Sequence, residues 1–158
     1  MKAGRFVNKW MPVIVWIAVI FAGSTDALSA EHTSRFLVPF LRWLNPQIAP
    51  AVIEQINFAL RKIGHFSEYA ILTGLLWRAL RATFLSLGKG TLAVATFLLA
   101  AGFAASDEFH QSFVPTRTAS LHDVLLDCGG ALCVVVLCAL LSGGASHGAG
   151  ARLRVGPQ

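Results

Sequence analysis

Ionisable side chains that could do chemistry are concentrated at the junction between two long apolar runs, residues 91–105 and 124–141. The segment Asp107-Glu108-Phe109-His110-Gln111 follows the first run, and Asp123 and Asp127 stand at the start of the second. A charged side chain in the middle of a membrane helix costs about 2.5–3.5 kcal/mol, so such residues usually face a protein interior or a wet cavity. The segment is therefore a candidate functional site.

A second polar group lies earlier in the chain, within a segment that is itself largely apolar. Arg61, His65 and Glu68 are spaced i, i+4 and i+7, so they share one helical face. Arginine suits bidentate recognition of phosphate or carboxylate. Arg61 and Arg117 are therefore candidate anion clamps or counter-ions for the carboxylates.

Two chemistries are open to these residues. Carboxylates with a histidine would hold a hard divalent cation that activates water or binds a phosphate, although the chain has no HExxH motif. Alternatively, a histidine or a carboxylate of raised pKa would act as general acid or base on a substrate held by arginine. The candidate catalytic residues are His65, Glu68, Asp107, Glu108 and Asp127.

Each feature also has a purely structural interpretation. Ser120-x-x-Asp123 fits a capping box, in which the aspartate serves only to start a helix. Arg61 and Lys62 would anchor in lipid headgroups, and His110 would be a surface residue near the interface. Buried carboxylates would form ion pairs that hold a bundle together, or become neutral where no partner is present.

The elements that must position these residues are predicted to be membrane helices. The chain of 158 residues is 55% hydrophobic and 13% charged, about half of the ~25% charged residues of a soluble domain. Apolar runs predict four transmembrane helices at about residues 10–28, 58–81, 91–111 and 120–141. The predicted fold class is therefore all-α, a polytopic bundle of about four spans. A signal peptide is the alternative for the first run, but Leu28 is too large for the −3 position of its cleavage site.

The region between the first two runs predicts a short interfacial helix at 34–45. Its apolar and aromatic residues alternate with Arg35 and Arg42, a pattern typical of a helix lying at a membrane surface. Pro39, Pro46 and Pro50 are predicted to interrupt the region. The alternative to an interfacial helix is a loop whose apolar residues pack on the bundle. Residues 1–141 are predicted to form the membrane domain, and the Gly-, Ala- and Ser-rich residues 142–158 a flexible cytoplasmic tail.

Basic residues indicate the orientation. They are frequent near the amino terminus, at 78–90 and in the tail, which places both termini in the cytoplasm. Successive helices alternate in direction, so the polar ends of the second, third and fourth are neighbours near the outer face. On the fourth helix Asp123, Asp127 and Gly130 share one side, and glycine allows close approach of another helix.

The net charge of +5 is explained by topology and anionic lipid headgroups, because the basic residues flank the apolar runs. No recognisable nucleic-acid module is present in the sequence, so nucleic acid is not an expected partner. The expected partner is the lipid bilayer.

Two blocks of sequence resemble the VanZ-like family, a group of small bacterial membrane proteins with about four spans. They are Arg61-Lys62-Ile63-Gly64-His65-Phe66-Ser67-Glu68-Tyr69 and Asp107-Glu108-Phe109-His110-Gln111, followed by Pro115, Arg117, Asp123, Asp127 and Gly129-Gly130. The family is linked with low-level resistance to teicoplanin-type glycopeptide antibiotics. The resemblance implies a place in the cell envelope, at the bacterial plasma membrane, and does not imply a reaction. Positions matching its motif give the candidate ligand-binding set Arg61, Lys62, Tyr69, His110, Gln111, Arg117 and Asp123.

Three functions follow as hypotheses. The first is a protein that binds or modulates an anionic envelope lipid or lipid-linked cell-wall precursor at a polar pocket near the outer face. The second is an intramembrane hydrolase or transferase acting on a lipid phosphate, with a divalent cation as its candidate cofactor. The third is a scaffold, held by buried ion pairs, that supports another membrane protein.

Overall fold

The chain folds into α-helices. A computed structural model describes residues 3–25, 30–114 and 119–142, and these residues contain five helices and no strand. The helices are α1 (Ala3–Gly23), α2 (Ala30–Leu44), α3 (Pro50–Thr83), α4 (Lys89–Gln111) and α5 (Leu121–Leu141). The predicted all-α class is thus confirmed. Arg117 and all of the predicted tail except Ser142 lie outside the described residues.

Three helices in the described ranges are long and apolar enough to cross a membrane: residues Phe6–Gly23 of α1, and the whole of α4 and α5. The helix α3 is not among them, because polar groups such as Arg61, Lys62, His65 and Glu68 lie along it. Length and composition therefore support three of the four predicted spans. A fourth span through α3 stays a prediction.

The helix α3 is the centre of the bundle and packs against each of the other four helices. Its 34 residues would extend about 51 Å at 1.5 Å per residue, well beyond the ~30 Å hydrocarbon core of a bilayer. It begins at Pro50, eight residues before the predicted start. Proline suits the first helical turn, where its missing N–H has no intrahelical acceptor.

The segment predicted to be interfacial, residues 34–45, forms most of the helix α2 (Ala30–Leu44), which lies against α3. The side-chain amide of Asn57 donates to the Ser34 hydroxyl across 2.8 Å and joins the two helices. Pro39 lies inside α2, so the prediction that this proline interrupts the chain was wrong. It is exposed, so water or headgroups can satisfy the carbonyl that its missing N–H leaves unbonded.

Side-chain contacts fix the directions of the helices. The indole N–H of Trp10 donates to Thr83 Oγ1 (3.1 Å) and that of Trp16 to the Glu68 carbonyl (2.9 Å), so α1 runs antiparallel to α3. At the other end of α1, Ser24 meets Gln111 at the end of α4. One end of the bundle thus brings together the last turns of α1 and α4 and the first turns of α5.

The helices α3 and α5 run parallel and approach closely at Gly130. A Cβ at this position would lie 3.2 Å from the Phe66 carbonyl carbon and 3.4 Å from the Ala70 amide nitrogen, and nearer than 3.0 Å to the Phe66 oxygen. A Cβ at Gly129 would meet only the Phe66 ring, at an ordinary 3.9 Å. The prediction of close approach at Gly130 is confirmed.

Candidate functional site

Three buried side chains from three helices converge inside the polar end of the bundle. His65 comes from α3, Glu108 from α4 and Asp127 from α5, and one ligating atom of each lies within 4.8 Å of the others. Their exposed fractions are 8%, 4% and 0%. Burial of this kind is costly for ionisable groups unless they are paired or bound to a metal.

Helix geometry explains why α3 and α5 supply two neighbouring pairs. Lys62 and His65 are separated by three residues, and Asp123 and Asp127 by four, so each couple occupies one face of its helix. Lys62 forms an ion pair with Asp123. One turn further along both helices, His65 Nδ1 lies 3.5 Å from Asp127 Oδ1. This second distance is too long for a strong hydrogen bond.

Glu108 links the end of α4 to the start of α5. Its Oε2 accepts a hydrogen bond from the backbone N–H of Ser120, the N-cap residue of α5, at 2.9 Å. The Ser120 hydroxyl in turn accepts from the backbone N–H of His122 at 3.2 Å. Ser120 therefore caps the helix, while the Asp123 carboxylate of the predicted capping box pairs with Lys62 instead.

Several atoms of the cluster have no hydrogen-bond partner among the described residues. They are His65 Nδ1, Glu108 Oε1 and both carboxylate oxygens of Asp127. Buried polar atoms in native proteins are nearly always satisfied. The cluster therefore presents unused donor and acceptor capacity toward its own centre.

A second polar group lies beside the cluster, on α4. Asp107 Oδ2 accepts from Gln111 Nε2 at 3.0 Å, and the same amide lies 3.4 Å from the hydroxyl of Ser24 on α1. All three residues are buried. This group joins the ends of α1 and α4.

A cavity of about 210 Å³ lies between the first turns of α5 and the middle of α3. Two basic residues of α3, Arg61 and Lys62, line it together with His65 of the buried cluster and the carboxylate of Asp123. The Lys62 ammonium lies 5.0 Å from the centre of the Phe58 ring, within cation–π range. The lining residues are Phe58, Arg61, Lys62, His65, Ser120 and Asp123.

Comparison with protein families identifies the chain. The model of the VanZ/LLP1 family matches residues 9–142, which include all five described helices except the first turns of α1. The chain belongs to the VanZ/LLP1 family. The resemblance predicted from the two motif blocks is thus confirmed. No curated protein and no solved structure matches it.

Within this VanZ/LLP1 protein, the predicted catalytic residues fall into separate places. His65, Glu108 and Asp127 form the cluster, and Asp107 belongs to the group with Gln111. Glu68 is half-buried one turn further along α3, where its backbone carbonyl accepts from Trp16.

The predicted ligand-binding residues are also divided. Arg61 and Lys62 line the cavity, and no carboxylate of the described part of the chain lies within ion-pair distance of Arg61. Tyr69 is buried and donates to the Phe103 carbonyl at 3.2 Å. His110 is not part of the cluster, and the centre of its ring lies 5.7 Å from that of Phe21.

Sequence reasoning missed two contributors to this region of the VanZ/LLP1 chain. Phe58 forms a wall of the cavity, and its spacing four residues before Lys62 would have placed it on the same helical face. The backbone N–H of Ser120 holds Glu108. A main-chain contact between two helices has no signature in residue type or spacing.

Proposed function

We propose that this VanZ/LLP1 protein binds an anionic, phosphate-bearing lipid of the bacterial cell envelope at the cavity between α3 and α5. The observation that carries the proposal is the side chain of Arg61, which lines the cavity and has no carboxylate partner among the described residues. A guanidinium offers bidentate hydrogen bonds that match a phosphate group. The only link between this function and glycopeptide resistance is membership of the family.

The composition of the cavity supports a lipid headgroup as the ligand. Lys62 adds a second positive charge, an ammonium that Asp123 orients and partly neutralises. Phe58 and Lys62 are in contact, so an apolar surface adjoins the positive charge. A phosphate would take the polar side, and an acyl or prenyl chain would lie along the exposed apolar surface of α3, where Ile63 is 62% exposed.

The basic residues at the opposite end of the bundle support the orientation. Lys9 donates to the Ala82 carbonyl, and Arg81 and Lys89 both donate to Ser142, so the start of α1, the end of α3 and the start of α4 form one basic end. The positive-inside tendency places that end in the cytoplasm. We therefore place four spans in the plasma membrane, with α3 as the fourth, and open the cavity toward the outer leaflet.

The exposed aromatic face of α2 is consistent with this placement. Phe36, Phe40 and Trp43 are exposed by 81%, 55% and 77% at a spacing that puts them on one helical side. Aromatic residues are enriched at membrane–water interfaces. The helix α2 would then lie in the outer interface, beside the end of the bundle that carries the cavity.

Direct binding tests the proposal. Labelled phosphatidic acid is titrated into the purified chain in a neutral detergent at low salt, with phosphatidylcholine as the uncharged comparison. We expect saturable binding of phosphatidic acid only, and a loss of at least about 10-fold in affinity for Arg61→Gln, since one charge-assisted phosphate contact contributes about 1.5–3 kcal/mol. Equal affinities of wild type and Arg61→Gln would refute the proposal.

A matched control separates the cavity from general attraction to positive charge. Arg42→Gln removes the same charge from the exposed surface of α2, outside the cavity. We expect this variant to bind phosphatidic acid as the wild type does. A similar loss of affinity in both variants would show that lipid binding depends on the net charge of the protein and not on the cavity.

A hydrolase or transferase of lipid phosphates is the second candidate function. The cluster of His65, Glu108 and Asp127 favours it, because His65 lines the cavity and also belongs to the cluster. Turnover of phosphatidic acid and polyprenyl phosphate in proteoliposomes tests it, with and without divalent cations. Product that forms with wild type and disappears with Asp127→Asn would support catalysis; binding without product would support the first candidate.

A further inference from the structure

We infer that His65, Glu108 and Asp127 form a binding site for one divalent transition-metal ion, with Zn²⁺ and Mn²⁺ as the ions to test. The inference goes beyond lipid binding, because the site would hold its ion whether or not a lipid occupies the cavity.

The geometry is close to that of a coordinated ion. Two ligands at about 2.1 Å from one metal are about 3.4 Å apart at a tetrahedral angle. His65 Nδ1 and Asp127 Oδ1 are 3.5 Å apart, and the ligating atoms of all three residues lie within 4.8 Å of one another. Side-chain rotations that contract the widest separation by at most about 1.4 Å would complete the site.

Each of these three residues carries at least one unsatisfied buried atom. His65 Nδ1, Glu108 Oε1 and both Asp127 oxygens have no hydrogen-bond partner in the described part of the chain, and each residue is more than nine-tenths buried. A metal ion would take one lone pair from each residue. Asp127 would keep a second oxygen to complete a bidentate contact.

Charge is compatible with a dication at this position. When both carboxylates are ionised and the imidazole is neutral, the cluster is negative, because Lys62 is already paired with Asp123. A divalent ion would neutralise Glu108 and Asp127 together and leave the imidazole neutral, as metal ligation requires. The desolvation cost of both carboxylates would then be offset by coordination.

The ligand set selects among metals. One imidazole and two carboxylates suit Zn²⁺ or Mn²⁺, whereas the absence of thiolates from the set disfavours soft ions. Three protein ligands leave at least one coordination position open. Because His65 also lines the cavity, that open position would lie near the cavity.

The hydrogen bond of Glu108 supplies an orienting contact. Its Oε2 is held by the Ser120 N–H at 2.9 Å, which leaves Oε1 free to bind the ion. Outer contacts of this kind orient metal ligands and commonly change affinity by about 10- to 100-fold when removed. The arrangement therefore has one fixed carboxylate and one that can adjust its binding mode.

Metal content of the full chain tests the inference. The protein is purified in mild detergent, stripped with a chelator and dialysed against Zn²⁺ or Mn²⁺ alone, and bound metal is measured by mass spectrometry of the ions. We expect about one ion per chain. His65→Gln, Glu108→Gln and Asp127→Asn should each weaken binding by at least about 10-fold, since each removes a direct ligand.

Asp107→Asn is the matched control for these variants. It also neutralises a buried carboxylate of the same end of the bundle, but Asp107 is bonded to Gln111 and is not part of the metal set. We expect it to keep the affinity of the wild type.

Two further readouts separate a lost site from a lost fold. Added metal should raise the melting temperature of wild type and Asp107→Asn but not that of Asp127→Asn. Co²⁺ in place of the ion should give visible absorption bands that change in His65→Gln. Wild type without stoichiometric metal, or variants that bind as tightly as wild type, would overturn the inference.

Discussion

Substitution of Gly130 by alanine should separate α3 from α5. The added Cβ would stand 3.2 Å from the Phe66 carbonyl carbon and closer still to its oxygen. Both are backbone atoms, so no side-chain rotation removes the clash. The two helices would have to move apart by on the order of 1 Å, as overpacked positions do.

The magnitude follows from two opposing effects. Overpacking of a well-packed position costs about 1–3 kcal/mol, and contact with backbone belongs at the upper end of that range. Alanine regains about 1 kcal/mol of helix propensity over glycine. The net expectation for Gly130→Ala is a loss of about 2 kcal/mol in the free energy of unfolding.

Gly129→Ala is the control, one residue away on the same helix. Its Cβ would meet only Phe66 Cε2 at 3.9 Å, an ordinary contact, so it gains propensity without a clash. We expect this variant to be unchanged or up to about 1 kcal/mol more stable. The two alanine variants should thus differ by about 2–3 kcal/mol.

Unfolding in mixed micelles of sodium dodecyl sulfate and a mild detergent, followed by tryptophan fluorescence, measures the difference. The site should respond as well, because separation of α3 from α5 lengthens the 3.5 Å distance between His65 and Asp127. If the two variants prove equally stable, the close approach of the helices at Gly130 is not present in solution.

Three further predictions concern side chains around the site, each measured by the same unfolding assay. Lys62→Met should cost about 1–3 kcal/mol, less than a fully buried pair because the Lys62 side chain is 29% exposed, and adding Asp123→Leu should recover most of the loss; no recovery would contradict a direct pair. Ser120→Ala should cost about 1 kcal/mol through loss of the α5 cap, and an unchanged stability would show that the cap is dispensable. Gln111→Leu should cost about 1–3 kcal/mol because it removes the donor to Asp107, and a stabilised variant would refute that role.

Local spacing was sufficient to predict one part of the polar end, the position of the α5 carboxylates beside the polar residues of α3. The i, i+4 relation of Asp123 and Asp127 puts both on one side of α5, and the alternating direction of the helices puts that side next to His65. The glycine three residues further on predicted the close helix contact. These features depend only on helical periodicity and on short connections, both of which the sequence shows directly.

The choice of partners could not be predicted in the same way. Spacing grouped Arg61 with His65, but the rotation of α3 about its axis turns Lys62 toward Asp123. That rotation is set by packing against four other helices, which no local pattern reports. The early start of α3 at Pro50 was missed because a proline is both a helix breaker and a favourable first residue.

The helices α3 and α5 run parallel, and their close contact at Gly130 restricts how far one helix can slide along the other. A slip by one turn would bring Leu126 or Val134 against the Phe66 carbonyl in place of Gly130, where even a methyl group does not fit. The same slip would separate Lys62 from Asp123, although in one direction it would bring Asp127 beside Lys62 instead. The steric requirement at Gly130 thus allows the two helices one axial position, so the alignment of the buried groups is fixed when the helices assemble and requires no ligand to set it.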